Sequence, residues 1–157
     1  MRFTLIDRIT ELKAGDEISA VKNVSLAEEY LQDHFPLFPV LPGVFMLEAM
    51  TEAAAWLIRF SDNFAHSVVT LKEARNVKYA DFVEPGNTLT VTAKIVKQEE
   101  RMVSLKADGT VDGRPHVSAR LVLERYNLSD TRPPDAELDE YSIAEMRKLF
   151  DRLYRPQ

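Results

Sequence analysis

His34 and Glu48 are the residues whose types and setting best suit proton transfer, and they bound the stretch His34-Phe35-Pro36-Leu37-Phe38-Pro39-Val40-Leu41-Pro42-Gly43-Val44-Phe45-Met46-Leu47-Glu48. An imidazole titrates close to neutral pH, so His34 can accept a proton and return it without extreme tuning. Glu48 falls among helix-forming residues that are apolar on every side, where desolvation raises a carboxyl pKa and keeps a usable fraction protonated. One is a candidate base and the other a candidate acid. Gly43 opens that helix, where the first N–H groups lack internal partners and the dipole is positive; having no Cβ, it lets an anionic oxygen approach closely. Glu52 stands one turn beyond Glu48 on the same face, near enough for two ionised carboxylates to repel. One of the pair then shares or retains a proton, and Glu52→Gln is expected to move the pH optimum of any acid/base reaction here.

The elements that position these residues follow from periodicity. Prolines at 36, 39 and 42 fix φ at every third residue and predict a rigid, extended path into the helix. The helix is predicted from Gly43 to Ile58, with Glu48 and Glu52 as its only charges and with enclosure on all sides. Thr4 to Leu12 and Glu17 to Val24 read as a hairpin joined by Ala14-Gly15-Asp16, and Ala27 to Asp33 as a short helix. Ser67 to Tyr79 reads as a long strand, followed by a turn at Glu84-Pro85-Gly86-Asn87. Leu89, Val91, Ala93 and Ile95 alternate with Thr88, Thr90, Thr92 and Lys94; Val103, Leu105 and Ala107, then Val117, Ala119, Leu121 and Leu123, repeat the pattern. Three successive strands with short connections make an antiparallel meander. The plan is α+β, a curved antiparallel sheet wrapping one buried helix.

Residues 1–127 form this unit, and 128–157 read as a linker and an appended C-terminal helix. Ser129-Asp130-Thr131-Arg132-Pro133-Pro134-Asp135 is linker-like, Ser142 with Glu145 reads as a capping box, and Ile143, Met146, Leu149, Phe150 and Leu153 make one apolar stripe. That helix is expected to pack on its own domain or across a subunit seam; the sharper alternatives are a lid, or a landing strip for an acidic carrier.

With 157 residues and 45% hydrophobic content the chain suffices for one core. Cysteine is absent, which removes disulfides, thiolate zinc sites and a thiol nucleophile, and suits a reducing, cytoplasmic setting. The first residues carry charge too early for a signal peptide and already alternate like a strand. The apolar run ending at Ile58 is shorter than the roughly 20 residues of a membrane span. Net charge of −5 disfavours nucleic acid. No glycine-rich phosphate loop or metal-ligand cluster is present in the sequence, so neither cofactor nor metal is expected.

His34-Phe35-Pro36, then Pro39-Val40-Leu41-Pro42-Gly43-Val44, then Leu47-Glu48-Ala49-Met50, resemble the signature of β-hydroxyacyl-acyl-carrier-protein dehydratases of fatty-acid synthesis. The likeness extends through Phe3 to Ile9, Ala20 to Val24, Glu73-Ala74-Arg75 and Val83 to Asn87, covering about residues 1–127. It implies a hot-dog fold, a homodimer or trimer of dimers, and a thioester substrate carried on acyl carrier protein or coenzyme A. It further implies His34 as base facing Glu48 of the dimer partner as acid, with Gly43 holding the thioester oxygen. In the related isomerising type an aspartate stands at the Glu48 position. This chain departs from the pattern at Leu37, where the family has glycine, and at Glu52, often glutamine.

Two other functions fit the same features: a non-catalytic hot-dog protein that binds acyl thioesters or partners an active paralogue, and a hot-dog thioesterase. Phe35, Phe38, Phe45, Met46 and Met50 suit either an acyl tunnel or plain core, and are assigned no site role. His66 and His116 are read as structural or exposed, and Arg75, Lys78, Lys97 and Arg101 as a solvated face.

Overall fold

The computed structural model describes residues 4–156. Met1, Arg2 and Phe3 of the expected N-terminal alternation, and Gln157, lie outside the described residues. Strands β1 (Arg8–Lys13), β2 (Glu17–Asn23), β3 (Val68–Tyr79), β4 (Thr88–Gln98), β5 (Met102–Val111) and β6 (Arg114–Tyr126) form one antiparallel sheet in the order β1-β2-β4-β5-β6-β3. Helix α1 (Gly43–Ser61) touches every strand of it. This is the hot-dog arrangement. The alternating sets face inward: Leu89, Val91, Ala93, Val103, Leu105, Ala107, Val117, Ala119, Leu121 and Leu123 are buried, and Ile95, at the end of its set, is only partly so. Ala49, Met50, Ala53, Ala54 and Leu57 of α1 meet them with no exposed surface. Burying each large aliphatic side chain contributes about 1.5–3 kcal/mol, so the sheet–helix contact is the main source of stability.

Several boundaries differ from the sequence reading, each for a physical reason. The first strand begins at Arg8, not Thr4, because the Leu5 and Ile6 amides donate to the Glu52 carboxylate instead of to a neighbouring strand. The segment from Ala27 to Asp33 contributes only a 3-10 turn at Glu29–Gln32. Helix α1 runs on to Ser61 and stops where Asn63 and Phe64 take positive φ (50° and 58°). Its enclosure is also incomplete. The sheet covers α1 from one side, leaving Val44 63% exposed and Glu48 half-buried one turn later, on a stripe that the described residues leave partly open.

At the C-terminus the capping box read at Ser142 is corrected. Helix α2 (Ala136–Leu153) starts two turns earlier, with Asp135 as its N-cap, so Ser142 lies inside it. Pro133 and Pro134 pre-set helical φ in a 3-10 turn that leads straight into α2, and its first turns are polar, which an apolar-periodicity criterion cannot detect. The apolar stripe is as read, and it packs on its own domain: Phe150 lies 5.9 Å from Trp56, 5.4 Å from Phe60 and 5.4 Å from Phe64. Buried Asp139 fastens the start of the helix by accepting from Ser67 Oγ, Leu128 N (2.8 Å) and Ser129 N (2.9 Å).

Candidate active site

The loop from Glu28 to Pro42 carries His34 to the N-terminus of α1. Its base is an ion pair: Lys22, on the inward face of β2 and only 5% exposed, donates to Glu28 Oε1 at 2.6 Å. The 3-10 turn that follows packs Tyr30 edge-on to Phe45 at 4.9 Å, and the Tyr30 carbonyl accepts from His34 N at 3.1 Å. Beyond His34, which is joined to Phe35 by a cis peptide bond, the path is not extended throughout. Phe35 and Phe38 exchange backbone hydrogen bonds (3.3 and 3.0 Å) around Pro36-Leu37, a reversal that suits proline as the second residue of a turn. Leu37, at its tip, is completely exposed. The chain then re-anchors through Val40 N to His34 O (3.2 Å) and Leu41 N to Val83 O (2.8 Å) before entering α1.

This arrangement defines the imidazole. His34 Nδ1 lies 3.1 Å from the Val40 carbonyl oxygen, which can only accept, so Nδ1 carries the proton and Nε2 keeps the lone pair in the neutral ring. Phe35 stacks on the same ring at 4.3 Å. His34 and Gly43 line one cleft of about 330 Å³ together with Phe35, Leu41, Met46, Tyr79, Ala80, Asp81 and Phe82. Pro42, the N-cap residue of α1, offers no capping side chain, and among the described residues nothing accepts from the Gly43 amide. A lone-pair nitrogen and an unclaimed donor at the positive end of a helix thus border one mainly apolar space.

Glu48 does not line that cleft. It lies on the open stripe of α1, accepts no hydrogen bond among the described residues, and burial pushes its carboxyl above the ordinary carboxylate range. Glu52, one turn further on, is held differently: Leu5 N donates to both of its oxygens (3.0 and 2.9 Å) and Ile6 N to Oε2 (3.0 Å). Its pKa is also raised, chiefly by burial and additionally by Glu48, against the pull of the Ile6 and Leu5 amides and of Lys22.

Of the residues left without a role, Phe35 and Met46 line the cleft, Phe38 meets Phe82 edge-on at 5.5 Å, and Met50 is core. Tyr79, Asp81 and Phe82 went unmarked because they reach Gly43 only through the long-range placement of β3. Their one sequence signal is an aromatic pair ahead of the Glu84-Pro85-Gly86 turn. His66 sits 3.3 Å from Asp62, and buried His116 directs Nδ1 at Arg114 O (2.9 Å), both as structural side chains. No group of three or more His, Asp or Glu among the described residues could hold a metal ion.

Residues 1–120 match the family of FabA-like domains. A 3-hydroxyacyl-(acyl-carrier-protein) dehydratase FabZ from Lactococcus lactis subsp. cremoris is 40% identical over 112 residues, which span 71% of this chain and 77% of that protein. The chain belongs to the FabZ dehydratase family. Another FabZ, from Janthinobacterium sp., is 34% identical over 135 residues, covering 82% of this chain and 85% of its own. Among solved structures, the dehydratase heterocomplex ApeI:P of Xenorhabdus doucetiae superposes with a TM-score of 0.65 at 20% identity, over 80% of this chain and 85% of that one. A mutant thioesterase from Pseudomonas aeruginosa gives 0.61 at 15% identity, over 76% and 80%. At those identities the structural likenesses speak for the fold. The family match does not reach α2, which begins at Ala136. No helix of the described residues is long and apolar enough to cross a membrane.

Proposed function

We propose that this chain is a 3-hydroxyacyl-(acyl-carrier-protein) dehydratase of fatty-acid synthesis, acting as a cytoplasmic homodimer or an assembly of such dimers. The observation that carries this reading is the meeting of His34, with Nε2 left as a lone pair, and the unclaimed Gly43 amide in one cleft. Family membership supplies the substrate class, a 3-hydroxyacyl thioester on acyl carrier protein or coenzyme A.

The chemistry follows from the geometry. His34 Nε2 removes the α-proton, and the electrons released from that C–H bond move toward the thioester carbonyl, whose oxygen takes negative charge beside the Gly43 N–H. Glu48 gives its proton to the β-hydroxyl, the C–O bond breaks, water leaves and a trans-2-enoyl thioester remains. Proton return from the imidazolium to Glu48 through water restores both groups, and the same steps run backward hydrate the enoyl ester.

Because Glu48 does not line the cleft of its own chain, the acid opposite His34 is Glu48 of a second copy. Two features support such pairing. The stripe of α1 holding Val44 and Glu48 is uncovered, and β3 is an outermost strand whose free side can pair with another strand. The exposed Phe35 and Phe82 flank the same mouth. Residues 1–127 are the catalytic unit and α2 a buttress on the C-terminal end of α1.

The test is interconversion of a 3-hydroxyacyl and a trans-2-enoyl thioester by the full chain. His34→Ala and Glu48→Gln should each lower the rate at least about 10²-fold, and mixing the two variants should restore part of it through hybrid dimers. Wild-type rates in either variant would refute the assignment. Free thiol released in place of enoyl ester would identify a thioesterase, and tight binding without turnover a non-catalytic partner.

A further inference from the structure

Glu48 and Glu52 are four residues apart on α1, so their carboxyls lie on neighbouring parts of one helical face. They are nevertheless held in opposite ways. Glu52 is clasped by two backbone amides, with Leu5 N–H shared between its oxygens and Ile6 N–H on Oε2, all at 2.9–3.0 Å. Backbone N–H groups can only donate, so each of these bonds is strongest to an ionised carboxylate; a proton on either oxygen would compete with the clasp. Glu48 has no such donor among the described residues, and its partial burial favours the neutral form.

The remaining influences on the pair divide: burial and Glu48 oppose charge on Glu52, while Lys22 favours it. Lys22 is the cation that acts on Glu52, from β2 beneath α1, but its ammonium is committed to Glu28 and to the Asn23 carbonyl at 2.7 Å. It favours ionised Glu52 without forming an ion pair with it. On α1 itself Glu48 opposes charge on Glu52, as a second carboxylate one turn away must. Partial burial opposes charge on both carboxyls, and a pair one helical turn apart resists carrying two charges at once. What distinguishes the two is the clasp: the Leu5 and Ile6 amides that hold Glu52, and that Glu48 lacks, leave the shared proton to Glu48.

We propose that Glu52 is a positioning residue for the reaction: an anion fixed by the Leu5–Ile6 backbone that confines the shared proton to Glu48 and so keeps Glu48 in its proton-donating form. Glu52 touches no reacting atom. Its role deepens the dehydratase reading and rests on it, since Glu48 is the acid only under that reading. In this role a glutamate differs from a glutamine, which can accept through one oxygen only and supplies no field.

The sign of the effect is fixed. A general acid works only while protonated, so activity falls as pH rises through the Glu48 titration. A neighbouring anion moves that fall to higher pH, and removing the anion moves it to lower pH. For two carboxylates one helical turn apart at a partly buried site, the displacement should be about one pH unit.

Two measurements on the full chain test this. The first follows the side-chain carboxyl resonances of wild-type protein carrying ¹³C-labelled glutamate through a pH titration, assigned with Glu48→Gln and Glu52→Gln; Glu52 should ionise at lower pH than Glu48. The second compares wild type with Glu52→Gln: the Glu48 midpoint and the alkaline limb of kcat should both fall by about one unit, with KM for the thioester little changed. If Glu52 keeps its proton to higher pH than Glu48, or if the Glu48 midpoint is unmoved in Glu52→Gln, the proposal is overturned. Should Glu52→Gln fail to fold, the order of ionisation in wild type still decides. The resonances do not depend on turnover, so an inactive wild type refutes the dehydratase reading and leaves the proton assignment separately tested.

Discussion

Replacing Gly43 by alanine should separate the stability of this fold from its chemistry. A Cβ at that position lies 3.1 Å from Tyr79 Cε1 and 3.2 Å from Cδ1. That is a few tenths of an ångström inside the ~3.5 Å at which carbon pairs attract best. Tyr79 is 48% exposed, and its ring can turn toward solvent at the ~0.5–1.5 kcal/mol of a displaced rotamer. Alanine gains up to about 1 kcal/mol over glycine in a helix, so the two effects nearly cancel. A net change within about 1 kcal/mol shifts the melting temperature of a chain this size by no more than about 2–4 °C. Catalysis has no such compensation. The added methyl group and the displaced ring both crowd the Gly43 amide, and loss of one oxyanion donor costs about 10²–10³ in kcat. Since the N–H itself remains, the lower end, about 10²-fold, is expected. Thermal melts by circular dichroism beside enoyl formation from a 3-hydroxyacyl thioester measure both quantities. A rate within a factor of about three of wild type would remove Gly43 from the mechanism, and a collapse in melting temperature would show that Tyr79 cannot yield.

The ion pair under the His34 loop should respond asymmetrically. Lys22 keeps 6% of its side-chain surface exposed and Glu28 24%, so Glu28→Ala strands a buried ammonium and should cost about 3 kcal/mol, whereas Lys22→Met leaves a carboxylate that can rehydrate and should cost about 1 kcal/mol or less. Urea denaturation measures both, and equal or reversed losses would show that the pair is not effectively buried. For Asp139, burial raises the pKa, but the donors from Ser129, Ser67 and Leu128 outweigh it and hold the carboxyl well below the usual range. A depressed folded pKa gives stability that is present above about pH 4, the unfolded value, and lost as pH falls through the folded one. Fluorescence of Trp56, the single tryptophan and a neighbour of Phe150 on α2, should report an acid loosening that Asp139→Asn lacks; an identical acid transition in that variant would exclude Asp139 as its cause.

Much of this was legible in the residues because the signals are local. Alternation in β4, β5 and β6 is a period-2 pattern set by which face meets the core, and it reappears as the buried sets of those strands. The apolar run after Gly43 and the His34-Phe35-Pro36 loop likewise declare themselves within a few residues. What was not legible depends on partners distant in sequence. Tyr79 and Phe82 join the cleft only because β3 pairs with β6 and its end comes to rest against Gly43. The start of β1 is delayed because a side chain 47 residues away captures its first amide. The true start of α2 is polar and proline-led, a signal that periodicity of apolar residues passes over.

The two ends of one helical turn explain why so small a segment can carry the whole site. At Gly43 the helix presents an amide that no described residue accepts from, inside a cleft shared with His34. At Glu48, little more than a turn later, it presents a carboxyl on the stripe that its own sheet leaves bare. The first feature lines the chain's own cleft; the second does not. On the proposed reading, a two-fold pairing along that bare stripe gives each cleft the acid it lacks, and the same contact removes water from both carboxyls. Dissociation should therefore do more than separate two half-sites. It would rehydrate Glu48 and lower its proton affinity, so activity lost on dilution should fall most steeply at the alkaline edge of the pH range.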